Sequence, residues 1–466
     1  MIDGPWARDA LNMRETIRRG EESAAGIVEA AVRAAELIDA RLNFLACADF
    51  ERALETAKRI DRAAAEKMPF AGVPFLVKDL RDVPGLPTRA GSRSRRDATA
   101  AASPDPYVER FTRAGMVVIG KSATSEFGFL PTTEPLASKP TRNPWNPDLS
   151  SGGSSGGAAV AVAAGVVPVA HASDGGGSIR IPAAYCGVFG LKPSRERLLP
   201  PRGRRRPIDI AVQHVVSRSV RDSAAMLALT ESPDTPFAPI GMVFPAAKSR
   251  SLTIGVAACV RSKAPDTAAA LKSAADLVEA LGHDVMETEW PFGDAFMDDF
   301  LDYWALGAGA EVGLFEEGAG RAAGEADFEP FTLHMAERAQ RIGEADQHAL
   351  MGRLRDAMKR YDEWLSAFDL ILSPVAASPA PPLGWIRGDV PFRTLLDRLR
   401  QSVVVTPISN VAGAPAMSVP LHWTDQGLPV GVQFAAARGD EATLLQLAYA
   451  LEEACPWAGR LPALAR

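Results

Sequence analysis

The chain has 466 residues, enough for one large or two ordinary domains with a substantial buried core. Hydrophobic residues make up 47% and charged residues 23%, the balance of a soluble globular protein. A net charge of −6 excludes nucleic acid from the partners that composition implies.

The first residues, Met1-Ile2-Asp3-Gly4-Pro5, lack a basic region followed by an apolar core. No signal peptide is visible, and a cytoplasmic location is expected. Residues 1–66 form an N-terminal helical segment. Ser23 is placed to cap a helix with Ile27, Ala31, Ala34 and Ile38 among its apolar positions. A second helix is expected near 51–65, with Ala53, Ala57, Ile60 and Ala64 on one face. The pattern changes at Val73-Pro74-Phe75-Leu76-Val77, a short continuous apolar run that reads as a buried strand. Runs at 117–119, 166–170, 252–256, 370–372, 417–420 and 430–434 read the same way. Helical patterns lie between them at 105–115, 157–165, 220–230, 265–282, 350–367 and 440–454. This alternation predicts an α/β fold, with a mixed, mostly parallel central sheet covered by helices on both faces. No linker divides the chain, so one domain over 1–466 is expected, with its core in 67–200. Residues 291–345 show no strand signal and read as an irregular helical insertion near the substrate pocket. Residues 157–173 come closest to a membrane span, but Ala and Gly dominate them and Pro168 interrupts them; a buried core segment is expected. The basic run Arg202-Gly203-Arg204-Arg205-Arg206 reads as a solvated loop. Cys47, Cys186, Cys259 and Cys455 have no metal-like spacing and read as free buried thiols.

Two serines carry the chemical signal. Ser154 sits in Gly152-Gly153-Ser154-Ser155-Gly156-Gly157, and Ser178 in Asp174-Gly175-Gly176-Gly177-Ser178-Ile179-Arg180. One such cluster would read as a flexible linker. Two of them, joined by an apolar segment, put both hydroxyls on backbone that glycine readily permits. Unobstructed N–H groups beside a hydroxyl suit an oxyanion hole next to a nucleophile. A serine nucleophile needs a base. None of His171, His214, His283, His334, His348 and His422 can be assigned that role by a sequence rule, and His171 reads as a hydrogen-bonded core residue. Lysine is the other option, because burial lowers its pKa and frees the neutral amine. Lys78 follows the apolar run 73–77, at the carboxyl end of a buried strand, where sites in open α/β sheets gather. Alone, it would read as a lysine emerging to solvent; the two serines tilt the balance toward a base.

These residues resemble the amidase signature family. The resemblance rests on Phe75-Leu76-Val77-Lys78-Asp79, on 151–157, and on 174–180 followed by Pro182 to Pro193. It continues through 368–374, 410–420 and 427–433, and covers about 8–457. It implies a Ser-cisSer-Lys triad of nucleophile Ser178, bridging Ser154 and base Lys78, with a cis bond at Gly153–Ser154. It also implies an oxyanion hole from the N–H groups of Gly175, Gly176, Gly177 and Ser178. Ser155 is expected to support this network, Asp174 and Arg180 to form an ion pair pinning the nucleophile loop, and Cys186 to be a packed core thiol.

The implied activity is hydrolysis of amides by way of an acyl-enzyme, without metal or cofactor. The partner is a small-molecule amide, with no nucleic acid and no membrane; a homodimer is expected by family analogy only. Residues 167–178 and 214–222 look most like the 6-aminohexanoate cyclic dimer hydrolase branch. Amidotransferase A subunits usually carry Thr-Gly-Gly-Ser at the nucleophile, and this chain departs from that. A glutamine-hydrolysing subunit is therefore the second reading and a non-enzymatic binding module the third. The pocket is expected to draw on 125–135, 200–212 and 291–345. Phe127, Phe129, Phe292, Phe296, Tyr303, Trp304, Phe315 and Phe331 are candidates to line it, although each reads equally well as core. Together they favour uncharged aliphatic or aryl amides, with esters and carbamates as further candidates.

Overall fold

The computed structural model describes residues 9–465 apart from 61, 201–207, 247–249 and 258–263. The basic run at 202–206 and Cys259 lie outside the described residues. Cys186 is buried, whereas Cys47 and Cys455 are only partly so.

Ser23 caps the helix Ala24–Leu42, its Oγ accepting from Gly26 N at 3.0 Å, and Ile27, Ala31, Ala34 and Ile38 face inward. The expected helix at 51–65 is two, Phe50–Lys58 and Arg62–Lys67. Arg59 and Ile60 bond back to the carbonyls of Thr56 and Ala57, three residues earlier, which tightens and ends the first.

The described residues form eleven strands: β1 Leu45–Ala48, β2 Pro74–Lys78, β3 Val117–Ser122, β4 Val169–Asp174, β5 Phe189–Lys192, β6 Val212–Ser217, β7 Thr253–Val256, β8 Asp284–Glu287, β9 Leu370–Pro374, β10 Ala416–Trp423 and β11 Pro429–Ala436. The apolar run at 166–170 is thus strand only from Val169; Val166 N closes the preceding helix on Ala161 O. The strands make two sheets, β1-β3-β2 and β4-β6-β5-β10-β11-β9-β7-β8. The larger sheet is mixed, as expected, but not mostly parallel. Only β7 pairs parallel, with β8 and β9, and the remaining ladders are antiparallel. Strand–helix alternation implies parallel pairing only where consecutive strands are neighbours across a helix. Here β10 and β11 are joined directly as a hairpin, and β9 reaches β11 from a distant part of the chain.

Helices cover both faces. Met417, Val419, Val432 and Phe434 bury one face against Val220–Thr230, Pro265–Ala280 and Glu441–Ala454. On the other face the helix Arg180–Cys186 lies across β5, β10 and β11. It comes so close that a Cβ at Gly190 or Gly431 would sit 2.7 Å from the methyl of Ala183 or Ala184. Those two glycines therefore set the height of the helix that begins two residues after Ser178. The helix Gly156–Ala163 is buried throughout, and no helix of the described residues is long and apolar enough to cross a membrane.

The segment 291–345 is more regular than expected. It holds the helices Asp294–Ala319 and Pro330–Gln340, which pack on each other. Met297, Phe300, Leu301, Ala305, Ala308 and Val312 bury one stripe of the first.

Candidate active site

Lys78 is the last residue of β2 and is fully buried. Its Nζ lies 2.8 Å from Ser154 Oγ, 2.8 Å from Ser155 Oγ and 3.1 Å from Ser173 Oγ. Burial pushes its pKa well below the usual lysine range; the Asp174 carboxylate opposes this and Arg81 adds to it. A second buried lysine, Lys121 on β3, shows what Lys78 lacks. Lys121 is paired with Asp79 at 2.7 Å and also donates to Pro87 O and Thr88 Oγ1. Lys78 has only hydroxyls around its amine, so nothing in direct contact offsets the cost of burying its charge. Ser155 donates its own proton to Ser173 O, so it receives an N–H from Lys78 rather than offering a proton to it. Ser154 is free of that commitment.

The peptide bond Gly153–Ser154 is cis. Thr133 holds the loop from outside: its Oγ1 donates to Gly152 O at 2.9 Å and accepts from Gly156 N at 3.0 Å. A Cβ at Gly153 would collide with the backbone of Thr132.

Asp174 ends β4 and organises the loop that carries Ser178. Its carboxylate accepts from Gly177 N at 2.7 Å, Ile179 N at 3.1 Å and Arg180 Nε at 2.9 Å. Arg180 is fully buried, and its remaining donors go to Gln433 Oε1, Asn410 Oδ1 and Thr406 O. Burial alone would raise the Asp174 carboxyl. The Arg180 guanidinium, with Lys192 and Asn410, overrides it and holds the group well below the usual range. The Gly177 N–H, one of the expected oxyanion donors, is engaged by Asp174. The same peptide plane is held from its other side by Thr406, whose Oγ1 donates to Gly176 O at 2.6 Å. Gly177 has φ +131°, and a Cβ there would lie 2.5 Å from Thr406 Oγ1.

Ser178 and Gly176 border a cleft with an empty volume of about 490 Å³. Its walls come from Gly128 to Pro131, from Met297, Phe300, Leu301 and Trp304 on the long helix, and from Phe331, Leu399, Val403 and Ile181. Among the described residues, none that lines the cleft is charged. Trp304 donates its indole N–H to Phe129 O at 3.1 Å and stacks on Phe300 at 5.4 Å, so both rings are fixed over Gly175 and Gly176. Phe129, Trp304 and Phe331 are the aromatic candidates that line the cleft. Phe127, Phe292, Phe296, Tyr303 and Phe315 pack behind it, in the core beneath the insertion. Of 200–212, residues 201–207 lie outside the described part and the rest do not reach the cleft wall.

The amidase family model matches residues 26–445. The chain belongs to the amidase family. AmiC of Mycobacterium tuberculosis, named as an amidase, is 40% identical over 456 residues, covering 97% of this chain and 95% of that protein. The 6-aminohexanoate-cyclic-dimer hydrolase of Paenarthrobacter ureafaciens is 36% identical over 483 residues, covering 98% and 97%. The structure of 6-aminohexanoate cyclic dimer hydrolase complexed with substrate superposes with a TM-score of 0.88 at 32% identity, covering 99% of this chain and 100% of that one. The amidase described here is accordingly an amide hydrolase.

Thr406, Ser173, Thr133 and Phe300 were not singled out from the sequence. Asn410 and Gln433 lay within resembling motifs, but no role was attached to them. An isolated hydroxyl carries no pattern, and only its neighbours in space reveal it. Thr406 touches the loop of Ser178 through the 176–177 peptide. Thr406→Val should lower kcat by about 10²-fold, the cost of a small misplacement at a reacting centre, and leave KM near the wild-type value. Steady-state kinetics on one good amide checks the split; an unchanged kcat would remove Thr406 from the site.

Proposed function

We propose that this amidase cleaves uncharged amides with apolar acyl groups, linear or cyclic, through Ser178, Ser154 and Lys78. The observation that carries the proposal is the 2.8 Å contact between Lys78 Nζ and Ser154 Oγ, set beside a cleft that Ser178 borders and apolar side chains wall.

Ser178 Oγ attacks the carbonyl carbon, and its proton passes to Ser154 Oγ as Ser154 gives its own to neutral Lys78 Nζ. The oxyanion forms where the N–H groups of Gly175, Gly176 and Ser178 are the available donors. As the C–N bond breaks, Lys78 returns a proton through Ser154 to the leaving nitrogen. Water then attacks the acyl-enzyme, passes a proton along the same route, and releases the acid and Ser178.

The wall sets the acyl preference. A free carboxylate or ammonium inside it would lose hydration and find no opposite charge among the described lining residues, so charged acyl chains are disfavoured. The hydrolase relative is named for a cyclic dimer, an uncharged bis-amide that meets this requirement. Esters and aryl carbamates present the same carbonyl with a better leaving group, and the proposal extends to them.

The test is turnover by the purified chain of hexanamide, benzamide, 6-aminohexanoate cyclic dimer, an aryl carbamate and glutamine. Apolar amides should exceed glutamine in kcat/KM by at least about 10²-fold, the reach of a few kcal/mol of unpaired polarity. Activity on glutamine alone, or on nothing until partner subunits are added, would favour the amidotransferase reading instead.

A further inference from the structure

β2 is an end strand: β3 pairs with one side of it, and the other side abuts β4, the end strand of the larger sheet. No ladder joins β2 to β4, so buried N–H groups on that side of β2 need acceptors of another kind. At Lys78 the acceptor is a side chain. Its backbone N–H points to His171 Nδ1 at 3.2 Å. The imidazole is fully buried, and its Nε2 lies 3.1 Å from Gln213 Oε1 on β6.

The hydrogen positions follow from the one partner that has no freedom. A backbone N–H can only donate, so His171 Nδ1 must present its lone pair. The proton then resides on Nε2, which fixes Gln213 as the acceptor with Oε1 inward. Burial, with Arg81 and Lys78 nearby, holds the imidazole well below its usual pKa, in keeping with a neutral acceptor. Tyr107 packs its ring 5.6 Å from the imidazole.

Two residues further along β4, on the same face, Ser173 Oγ receives Lys78 Nζ at 3.1 Å. One strand therefore grips Lys78 at both ends, backbone and amine. We propose that His171 is a positioning residue for the reaction: its Nδ1 fixes the backbone of Lys78 across the junction of the two sheets and so aligns Nζ with Ser154 Oγ. This rests on Lys78 being the base.

The alternative is a histidine that only stitches the sheets together. Kinetics and thermal melts of His171→Leu and His171→Asn separate the two. His171→Leu leaves the Lys78 N–H unpaired and should lower kcat by about 10²-fold with KM within about twofold of wild type. The asparagine Oδ1 takes the place of Nδ1, so His171→Asn should recover most of that loss, to within about tenfold of wild type, even with its Gln213 contact gone. If His171→Leu does not fold, His171→Gln replaces it: its amide reaches toward Gln213 and not toward Lys78, and it should be as slow as expected for leucine. A folded Leu or Gln variant with wild-type kcat, or an Asn variant no faster than either, would overturn the inference. A wild-type chain that cleaves no amide would fail the proposed function itself, an outcome distinct from an active enzyme indifferent to position 171.

Discussion

Ser178→Ala is expected to lower kcat by roughly 10⁴–10⁶-fold, the range seen when a serine nucleophile is removed from a site whose other groups remain. Ground-state binding should persist, because the cleft is walled by Phe129, Met297, Phe300, Trp304 and Phe331, none of which the substitution touches. The Asp174–Arg180 pair and the Thr406 contact that shape the loop involve backbone or other side chains, so the melting temperature should hold. A covalent test runs in parallel. An ester that acylates faster than it deacylates should add one acyl mass to the wild-type peptide carrying Ser178, and none to the variant. Turnover above about 1% of wild type in Ser178→Ala, or acyl mass on another serine, would move the nucleophile elsewhere. Ser154 is the residue to examine next in that case, since its hydroxyl contacts Lys78 Nζ.

The parts of this site legible in the sequence were those where chemistry forces an unusual local pattern. Gly153, Gly176 and Gly177 are there because Thr132, Phe300 and Thr406 leave no room for a Cβ. Lys78 stood out because a charge ends an apolar run, and the strand β2 indeed ends on it. Strand and helix positions followed from the same local signals, usually to within a few residues. Strand direction did not, because it depends on which distant segment pairs with which; β5 meets β10, and β9 meets β11, from far-apart stretches of chain. The long helix Asp294–Ala319 was underestimated for a different reason. Its glycines and acidic residues weaken the local helical signal, while its buried stripe earns its stability from packing over the cleft. The residues that tune the site were the hardest to see. Ser173, Thr406 and Gln213 act through single hydrogen bonds to groups more than ten residues away, and such bonds leave no periodicity.

Lys78→Met should also be nearly inactive, losing about 10²–10⁴-fold in kcat as the base disappears, with partial recovery at high pH where hydroxide substitutes for it. The wild-type rate should rise with pH through the folded-state pKa of Lys78, which burial places well below the usual lysine value, and the variant should lack that limb. Stability carries the same information with its own sign. In the unfolded chain the amine titrates near the ordinary lysine value of about 10.4, and in the fold it titrates lower. Between those two values the unfolded state binds one more proton than the folded one, so wild-type stability falls as pH falls across the window. Methionine has no such proton. The stability of Lys78→Met relative to wild type should therefore improve by about 1.4 kcal/mol for each unit the pH is lowered within that window, then level off below the folded pKa. Paired denaturant titrations from pH 10 downward read this difference directly, and other titrating groups shared by the two chains largely cancel. The hydroxyls of Ser154, Ser155 and Ser173 lose a donor in the variant, which shifts the whole curve by a constant and leaves its slope alone. A flat difference between pH 10 and pH 7 would mean that Lys78 keeps its proton in the folded protein throughout that range. In that case a lysine hydrogen-bonded by three serines would be a charged donor holding the loop, and the base for Ser178 would have to be sought outside the Lys78–Ser154 contact.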